Sequence, residues 1–472
     1  MKLGTSKSNW ILENAARIDA SYHLSEGRQT KLLLKKSPFQ IDVLANVSSD
    51  VFMGPRFKRY YVDSEEHGVP FMGGADMQKA DLSNLKLISK KMTHAIDQLY
   101  LKKGWTLITR SGTIGQTVFT NANFENKTAT EDVIRVIADP GKIKPGFLHA
   151  FLASKYGYSL LTQSTYGAVI QHIEPHHIAD LPVPLFPPDQ QQRIHELIVQ
   201  AAELRVEGNR LLREAEKMLM EHANLPDLNK EDYEYFGAHS GERATSTFQV
   251  GIKEVSSLTI NAFNYSRKIS QIKKNIKQKT ASITLAECLN DDGIFTTGSF
   301  KRLELDSPKS IQLINQSDIF NIKKTGKSIA RIFAKTENLV KYGEVLIAGV
   351  GTLGENETFC RCVFANEELE GQLISGEFLR MNTNNKVPSG YLFTYLSSPY
   401  GFRLIRSTHS GTKLCRPIKE LLKDIPVPIL DDKIMSEIDH MVKKSHNMRY
   451  RALLKENQAI TLIETEIASW QS

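Results

Sequence analysis

Apolar positions near the end of each half of the chain fall three and four residues apart over long stretches. From 190 to 223 they are Ile194, Leu197, Ile198, Ala201, Leu204, Leu211, Leu212, Ala215, Met218 and Leu219. From 433 to 470 they are Ile434, Ile438, Met441, Val442, Met448, Ala452, Leu453, Ile460, Ile463, Ile467 and Trp470. This spacing predicts two helices with one apolar stripe each, roughly 50 Å long at about 1.5 Å per residue. A Pro-Val-Pro run precedes each, Pro182–Pro184 and Pro426–Pro428. Neither run can be helix interior, because proline lacks the backbone donor and restricts the residue before it. An extended segment therefore hands over to a long helix twice. Asp189 is the expected N-cap of the first helix, with Gln192 in the capping-box position. Gly208 is a weak point in its stripe.

The remaining pattern is mixed. Runs 105–109 and 344–348 read as strands entering Gly-Thr-x-Gly turns, 133–138 as a further strand, and 147–154 and 391–398 as short helices. The landmarks recur in order. Arg17-Ile-Asp-Ala-Ser-Tyr22 resembles Thr259-Ile-Asn-Ala-Phe-Asn-Tyr265, and the stretch 69–77 resembles 311–319. Gly104–Gly115 resembles Gly343–Gly354. Gly146, Tyr156-Gly157 and Gly167 resemble Gly390, Tyr400-Gly401 and Gly411. Each pair lies about 240 residues apart, as a tandem duplication requires. The expected fold is α+β, with two α/β-type globules and two long helices in an internal pseudo-twofold repeat. The expected divisions are 1–188, a helix over 189–224, a linker over 225–257, 258–430, and a second helix over 431–472.

A stripe this long on a charged helix calls for a partner helix. The two copies are expected to pair antiparallel as a coiled coil and to hold the globules at a set distance. The predicted contacts are Ile194, Leu197, Leu204, Leu211, Met218, Ile434, Ile438, Met441, Met448, Ile460 and Ile467.

With 472 residues the chain has ample length for more than one core. Sixty basic against 53 acidic residues leave a net charge of +7, which is compatible with a polyanionic partner. Cys288, Cys360, Cys362 and Cys415 include only one close pair, so reduced thiols are expected, without zinc or disulfides. With no signal-peptide pattern and no long apolar run, a cytoplasmic chain without a membrane span is expected.

No catalytic constellation survives inspection. Gly326-Lys327-Ser328 looks like the end of a phosphate-binding loop, but Asn321 stands where its first glycine belongs. His172, His176 and His177 gather near Glu174, yet Pro175 interrupts them. Asp431-Asp432-Lys433 has a nuclease-like spacing at a place where helix caps belong. The Gly-Thr-x-Gly turns lack the further glycines of a dinucleotide site. Basic residues are more informative. Arg56, Lys58 and Arg59 lie beside Tyr60 and Tyr61, and Lys301-Arg302 falls at the corresponding place in the second copy. Lysine and arginine neutralise phosphates, and forked or amide side chains on loops reach base edges. The candidate DNA contacts are Arg56, Lys58, Arg59, Arg110, Thr113 and Gln116, then Lys301, Arg302, Lys323 and Lys327. On the residues alone, a self-contained DNA-modifying enzyme and a coiled-coil adaptor that binds no DNA stay open.

The chain resembles the specificity subunits of type I restriction–modification systems. The resemblance rests on Asp19-Ala20-x-Tyr22 and Asn261-Ala262, on the Gly-Thr-x-Gly turns, and on Tyr166-Gly167 or Ser410-Gly411 leading to Pro-Val-Pro and the long helix. The family often has Glu-Gln-x-x-Ile at the helix start. Here Gln-Gln-x-x-Ile replaces it in the first copy, and the glutamines are lost at Asp431-Asp432-Lys433. The resemblance implies two target recognition domains reading the unlike halves of a split, asymmetric target in double-stranded DNA, with half-sites roughly 10 bp apart. It implies helices that act as spacer and dock methyltransferase subunits, two of them, with restriction subunits attached indirectly. The chain itself would be non-catalytic, without cofactor or metal. S-adenosylmethionine, ATP and Mg²⁺ would sit on the partner chains, which carry adenine methylation and cleavage.

Overall fold

A computed structural model describes residues 23–163, 172–228 and 248–471, together with Thr5, Ser8 and Ile11. The stretches around Asp19 and Tyr166-Gly167, and 229–247 of the expected linker, lie outside the described residues. The chain forms two compact units: Met1–Val206 with Arg451–Ser472, and Glu207–Tyr450.

Unit 1 opens with α1 (Glu26–Leu34), capped by the Ser25 side chain, and β1 (Ile41–Val43). Its larger sheet holds β2 (Ser48–Met53), β6 (Thr106–Thr109), β7 (Thr117–Phe119) and β9 (Val133–Ala138) in the antiparallel order β2-β9-β6-β7. A smaller sheet, in the order β3-β5-β4-β8, holds β3 (Tyr61–Val62), β4 (Gly68–Met72), β5 (Lys86–Ser89) and β8 (Thr128–Ala129). Helices α2 (Pro145–Ala153) and α3 (Lys155–Gln163) follow, with Ser154 between them accepting from Gly157 N at 3.2 Å. Then β10 (Pro182–Pro184) pairs with β1, Asp42 facing Val183. Proline tolerates this place because a two-stranded pairing leaves one side of β10 without a ladder. The long α4 (Pro188–His222) closes the first half.

Unit 2 repeats the plan: α5 (Arg267–Lys279), β11 (Ser282–Thr284), β12 (Leu289–Phe295), β13 (Ser310–Ile314), β14 (Lys327–Ala330), β15 (Val345–Ala348), β16 (Cys362–Phe364), β17 (Leu373–Ile374) and β18 (Phe378–Thr383). Then come α6 (Ser389–Ser397), α7 (Pro399–Arg406), the β19–β20 hairpin (His409–Ser410 with Arg416–Pro417), β21 (Pro426–Pro428) and the long α8 (Asp432–Ser469). Its larger sheet runs β12-β18-β15-β16, and β21 pairs with β11. The duplication reaches the pairing register. Arg135 of β9 faces Phe52 and Leu107, and Arg380 of β18 faces Phe295 and Leu346. In the smaller sheets Phe71 pairs in parallel with Thr128, and Leu313 with Leu373.

Each unit buries its own part of the long helices. In unit 1, Ile194, Ile198 and Ala202 of α4 share a core with Ala459, Ile463, Ile467 and Trp470 of α8. In unit 2, Ala215 and Leu219 share one with Met435, Ile438 and Val442. The start of α4 thus meets the end of α8, so the two run antiparallel. Of the predicted stripe, Ile194, Leu211, Ile438 and Ile467 are buried, while Leu197, Leu204, Met218, Ile434, Met441, Met448 and Ile460 are half-buried. Arg205 and Glu456 join the helices at 2.6 Å. Burial alone would push the Glu456 carboxyl up, but Arg205 and His149 beside it hold it well below the usual range.

Two expectations about the first helix need correction. It begins one residue earlier than the proposed cap: Pro188 is its first residue and Gln191 N donates to Pro187 O. Proline suits that position, where no amide bond is required. Gln192 bonds Glu196 instead of closing a capping box. Buried Gln191 does the anchoring, donating to Phe186 O at 2.8 Å and accepting from Lys144 N at 3.2 Å. Gly208 is a close-approach point: a side chain there would meet Ser445 O at 3.1 Å, and the Ser445 hydroxyl donates to Gly208 O at 2.7 Å.

The same device seats α2 and α6 on the long helices. A Cβ at Gly146 would strike His195, and one at Gly390 would strike Asp439. Gly146 N donates to His195 Nδ1 at 3.0 Å, and Gly390 N donates to Asp439 Oδ1 at 2.8 Å. Burial first, then Lys144, push the His195 pKa down, against Glu196. Because the folded value lies below the unfolded one, His195 contributes stability that is complete above about pH 6.5 and is lost as pH falls. His195→Asp puts in the acceptor used at Asp439, so its unfolding temperature should fall less than the parent's between about pH 7.5 and 5.5. Parallel pH profiles would show that His195 carries none of the acid loss.

Candidate nucleic-acid interface

Of the basic residues predicted from sequence, Lys58, Arg59, Lys301, Arg302 and Lys327 lie on or beside the smaller sheet of their unit. In unit 1, Lys58 and Arg59 are exposed on the approach to β3, and Lys86 opens the neighbouring β5. Lys58 Nζ stands 5.2 Å from the centre of the Tyr60 ring, Arg59 5.6 Å from that of Phe71, and Lys86 5.9 Å from that of Tyr61. Arg59 also pairs with Glu131 at 3.1 Å. An aromatic face attracts a cation through its quadrupole and narrows the side chain's freedom, so less ordering remains for binding. Arg56 is exposed nearby.

Unit 2 builds the same edge from other partners. Lys301 stands 5.1 Å from the Phe333 ring centre and Arg302 5.7 Å from that of Phe300. Register makes Lys327 the counterpart of Lys86, since Leu313 faces Lys327 as Phe71 faces Lys86. Lys327 pairs with Glu304 at 2.5 Å where Lys86 has Tyr61. Lys323 is exposed, while its neighbour Lys324 is tied to Glu368 at 2.7 Å. Lys86 stands in a basic cluster of the sequence with Lys90 and Lys91, but only strand pairing sets it beside Arg59.

The hairpin candidates are placed differently. The first Gly-Thr-x-Gly turn joins β6 to β7, and Thr113 is exposed on it with Gln116 half-buried. Arg110 is a buried strut: its guanidinium donates to Asp132 and to Glu174, and the Glu174 bond raises its pKa further. That ties the hairpin to the segment around Glu174 and withdraws Arg110 from the surface. His177 Nδ1 accepts from Glu174 N at 3.0 Å, so the suspected histidine cluster stabilises one short turn. In unit 2 the hairpin loop is longer, 349–361 against 110–116. Asp431 Oδ1 accepts from Lys433 N at 2.9 Å, the capping role expected there.

Sequence reasoning overlooked two buried guanidinium groups behind these edges. Arg380 donates to both carboxylate oxygens of Glu344 at 2.9 Å, to Asn338 O at 2.8 Å and to Leu339 O at 2.7 Å. Trp105 takes the place of Glu344 in unit 1, and Arg135 donates to the carbonyls of Ala129, Thr130 and Val133. Burial pushes the Arg135 guanidinium down to about 10. Arg135 fastens the segment between β8 and β9 and Arg380 the segment between β14 and β15, and an alternating strand pattern with one arginine was the only hint.

Among solved structures, the chain is similar to a type I restriction–modification specificity subunit from M. genitalium, at 13% identity and a TM-score of 0.32, covering 92% of this chain and 93% of that one. It is also similar to an HsdS subunit from Thermoanaerobacter tengcongensis, at 11% identity and a TM-score of 0.29, covering 91% and 96%. No curated protein matches. Residues 40–207 match the family described as the type I restriction modification DNA specificity domain. Unit 2 repeats the strand register of that matched stretch. Over that stretch the chain is similar to the type I restriction modification DNA specificity domain.

No helix among the described residues is long and apolar enough to cross a membrane. Arg380→Met should strand the fully buried Glu344 carboxylate and cost about 3–5 kcal/mol. Arg135→Met strands carbonyls only and should cost less, about 1–3 kcal/mol. Denaturant unfolding of both variants checks the order; equal losses would contradict the assigned partners.

Proposed function

We propose that this chain is a type I specificity subunit, and that each unit reads one half of a bipartite, asymmetric DNA target through the basic edge of its smaller sheet. The paired α4 and α8 dock two methyltransferase subunits, through which restriction subunits attach, in the cytoplasm. The observation that carries this reading is the recurrence of the basic edge on corresponding strands. Lys58, Arg59 and Lys86 meet phosphates in one unit; Lys301, Arg302 and Lys327 do so in the other. Arg56, Thr113, Gln116 and Lys323, on nearby loops, are the candidates for base edges. The partners around the corresponding residues differ, Tyr61 against Glu304 and Gln116 against Arg361, so the two half-sites differ.

Mapping methylated adenines in a host that carries the chain with its methyltransferase should reveal one split, non-palindromic motif. A continuous or palindromic motif would refute the two-reader scheme. Replacing Lys58, Arg59 and Lys86 by alanine should weaken binding of the assembled complex to all duplexes alike. It should also flatten the log–log salt dependence by about one unit for each phosphate that is no longer neutralised. An unchanged slope would remove this edge from the interface.

A further inference from the structure

Among the described residues, unit 2 holds a cluster without a counterpart in unit 1. Arg361, Arg403 and Arg406 gather around the Phe402 ring, with guanidinium carbons 3.8, 5.0 and 4.9 Å from its centre. Arg403 meets Glu355 Oε2 at 2.9 Å, Arg406 meets Glu355 Oε1 at 3.0 Å, and Arg361 donates to Glu355 O at 2.8 Å. The arginine side chains at 403 and 406 are only 8% and 4% exposed, but the Glu355 side chain above them is 45% exposed. A surface carboxylate thus covers a buried guanidinium floor.

Loop 349–361 supplies that carboxylate. Its roots are fixed: Gln316 bonds both polar groups of the Val350 backbone, Gly351 and Cys415 exchange backbone bonds, and Cys360 N donates to Ala348 O. The tip between them is held down through Glu355 and through Leu353, which packs against the core of unit 2. Register places Gln116 in unit 1 where Arg361 stands in unit 2, and the helix cap at Ser154 or Ser398 places Ser159 and Thr162 where Arg403 and Arg406 stand. Among the described residues, the longer acidic loop and the three arginines therefore occur together, in unit 2 only. Phosphate offers the same forked acceptor as carboxylate and binds arginine at the same donors.

We propose that Glu355 occupies a site for a DNA backbone phosphate, and that the phosphate displaces it from Arg361, Arg403 and Arg406 when unit 2 engages a duplex. The inference rests on the reading of unit 2 as a DNA reader. The loop then acts as a latch that must lift before the arginines make contact, which lowers affinity for DNA that unit 2 meets in passing.

The test uses the full chain assembled with its methyltransferase subunits and a duplex lacking the target. Glu355→Gln and Glu357→Gln each remove one charge from the same loop, but only the first loosens the latch. Affinity should rise about tenfold for Glu355→Gln and about twofold for Glu357→Gln at low salt. Adding Arg406→Gln should cancel the gain. In the unaltered complex, amide exchange across 352–358 should quicken when DNA binds. Equal gains in the two glutamine variants would reduce the effect to net charge and overturn the latch. Unchanged or slowed exchange on DNA binding would overturn it even if Glu355→Gln unfolds. Failure of the unaltered complex to bind any duplex would instead remove the DNA-reading assignment beneath it.

Discussion

Burial of a long helix stripe by the unit it leaves and the unit it enters is the constraint on which everything else depends. Neither stripe can be satisfied by one globule: Ile194 and Ile198 belong to the core of unit 1, while Ala215 and Leu219 of the same helix belong to that of unit 2. At roughly 25 cal/mol per Å² of apolar surface, leaving either half exposed would cost several kcal/mol. The antiparallel partner is equally split. Polar contacts then fix position along the stripe: Arg205 with Glu456 in unit 1, and Arg449 with Asn209 and Ser445 with Gly208 in unit 2. A stripe alone tolerates slippage; these bonds do not.

Each unit then uses its helix segment as a base plate. The amide group of Asn121 donates to Ala202 O, and that of Asn366 donates to His446 O at the corresponding place. Gly146 on His195 and Gly390 on Asp439 are the second anchor. The larger sheet is set by these contacts, and the smaller sheet hangs from it through a buried arginine. The basic edge that faces outward is thus carried by a chain of packed elements, so side chains on the edge can vary without disturbing their placement.

Variation has run deepest where it does not touch that frame. Arg135 is held by carbonyls alone, whereas Arg380 at the corresponding strand position is held by two carbonyls and the Glu344 carboxylate. Arg110 and the segment near Glu174 brace the first hairpin, whereas the second is longer and braced through Glu355. The two copies thus share one skeleton and carry unlike fittings.

The sequence by itself determined the duplication, the long helices and the extended Pro-Val-Pro segments, because repeats, heptad-like spacing and missing amide donors are local properties. It also marked Lys58-Arg59 and Lys301-Arg302 as corresponding basic pairs. Lys86 joins Arg59 only through strand pairing, and Lys327 is paired with Glu304 only because a bridge brings position 304 beside β14. Arg110 looked like a surface cation until Asp132 and Glu174, distant in sequence, enclosed it. Gly208 looked like a flaw until Ser445 closed on it. In each case the deciding partner lies far along the chain, and only the tertiary structure supplies it.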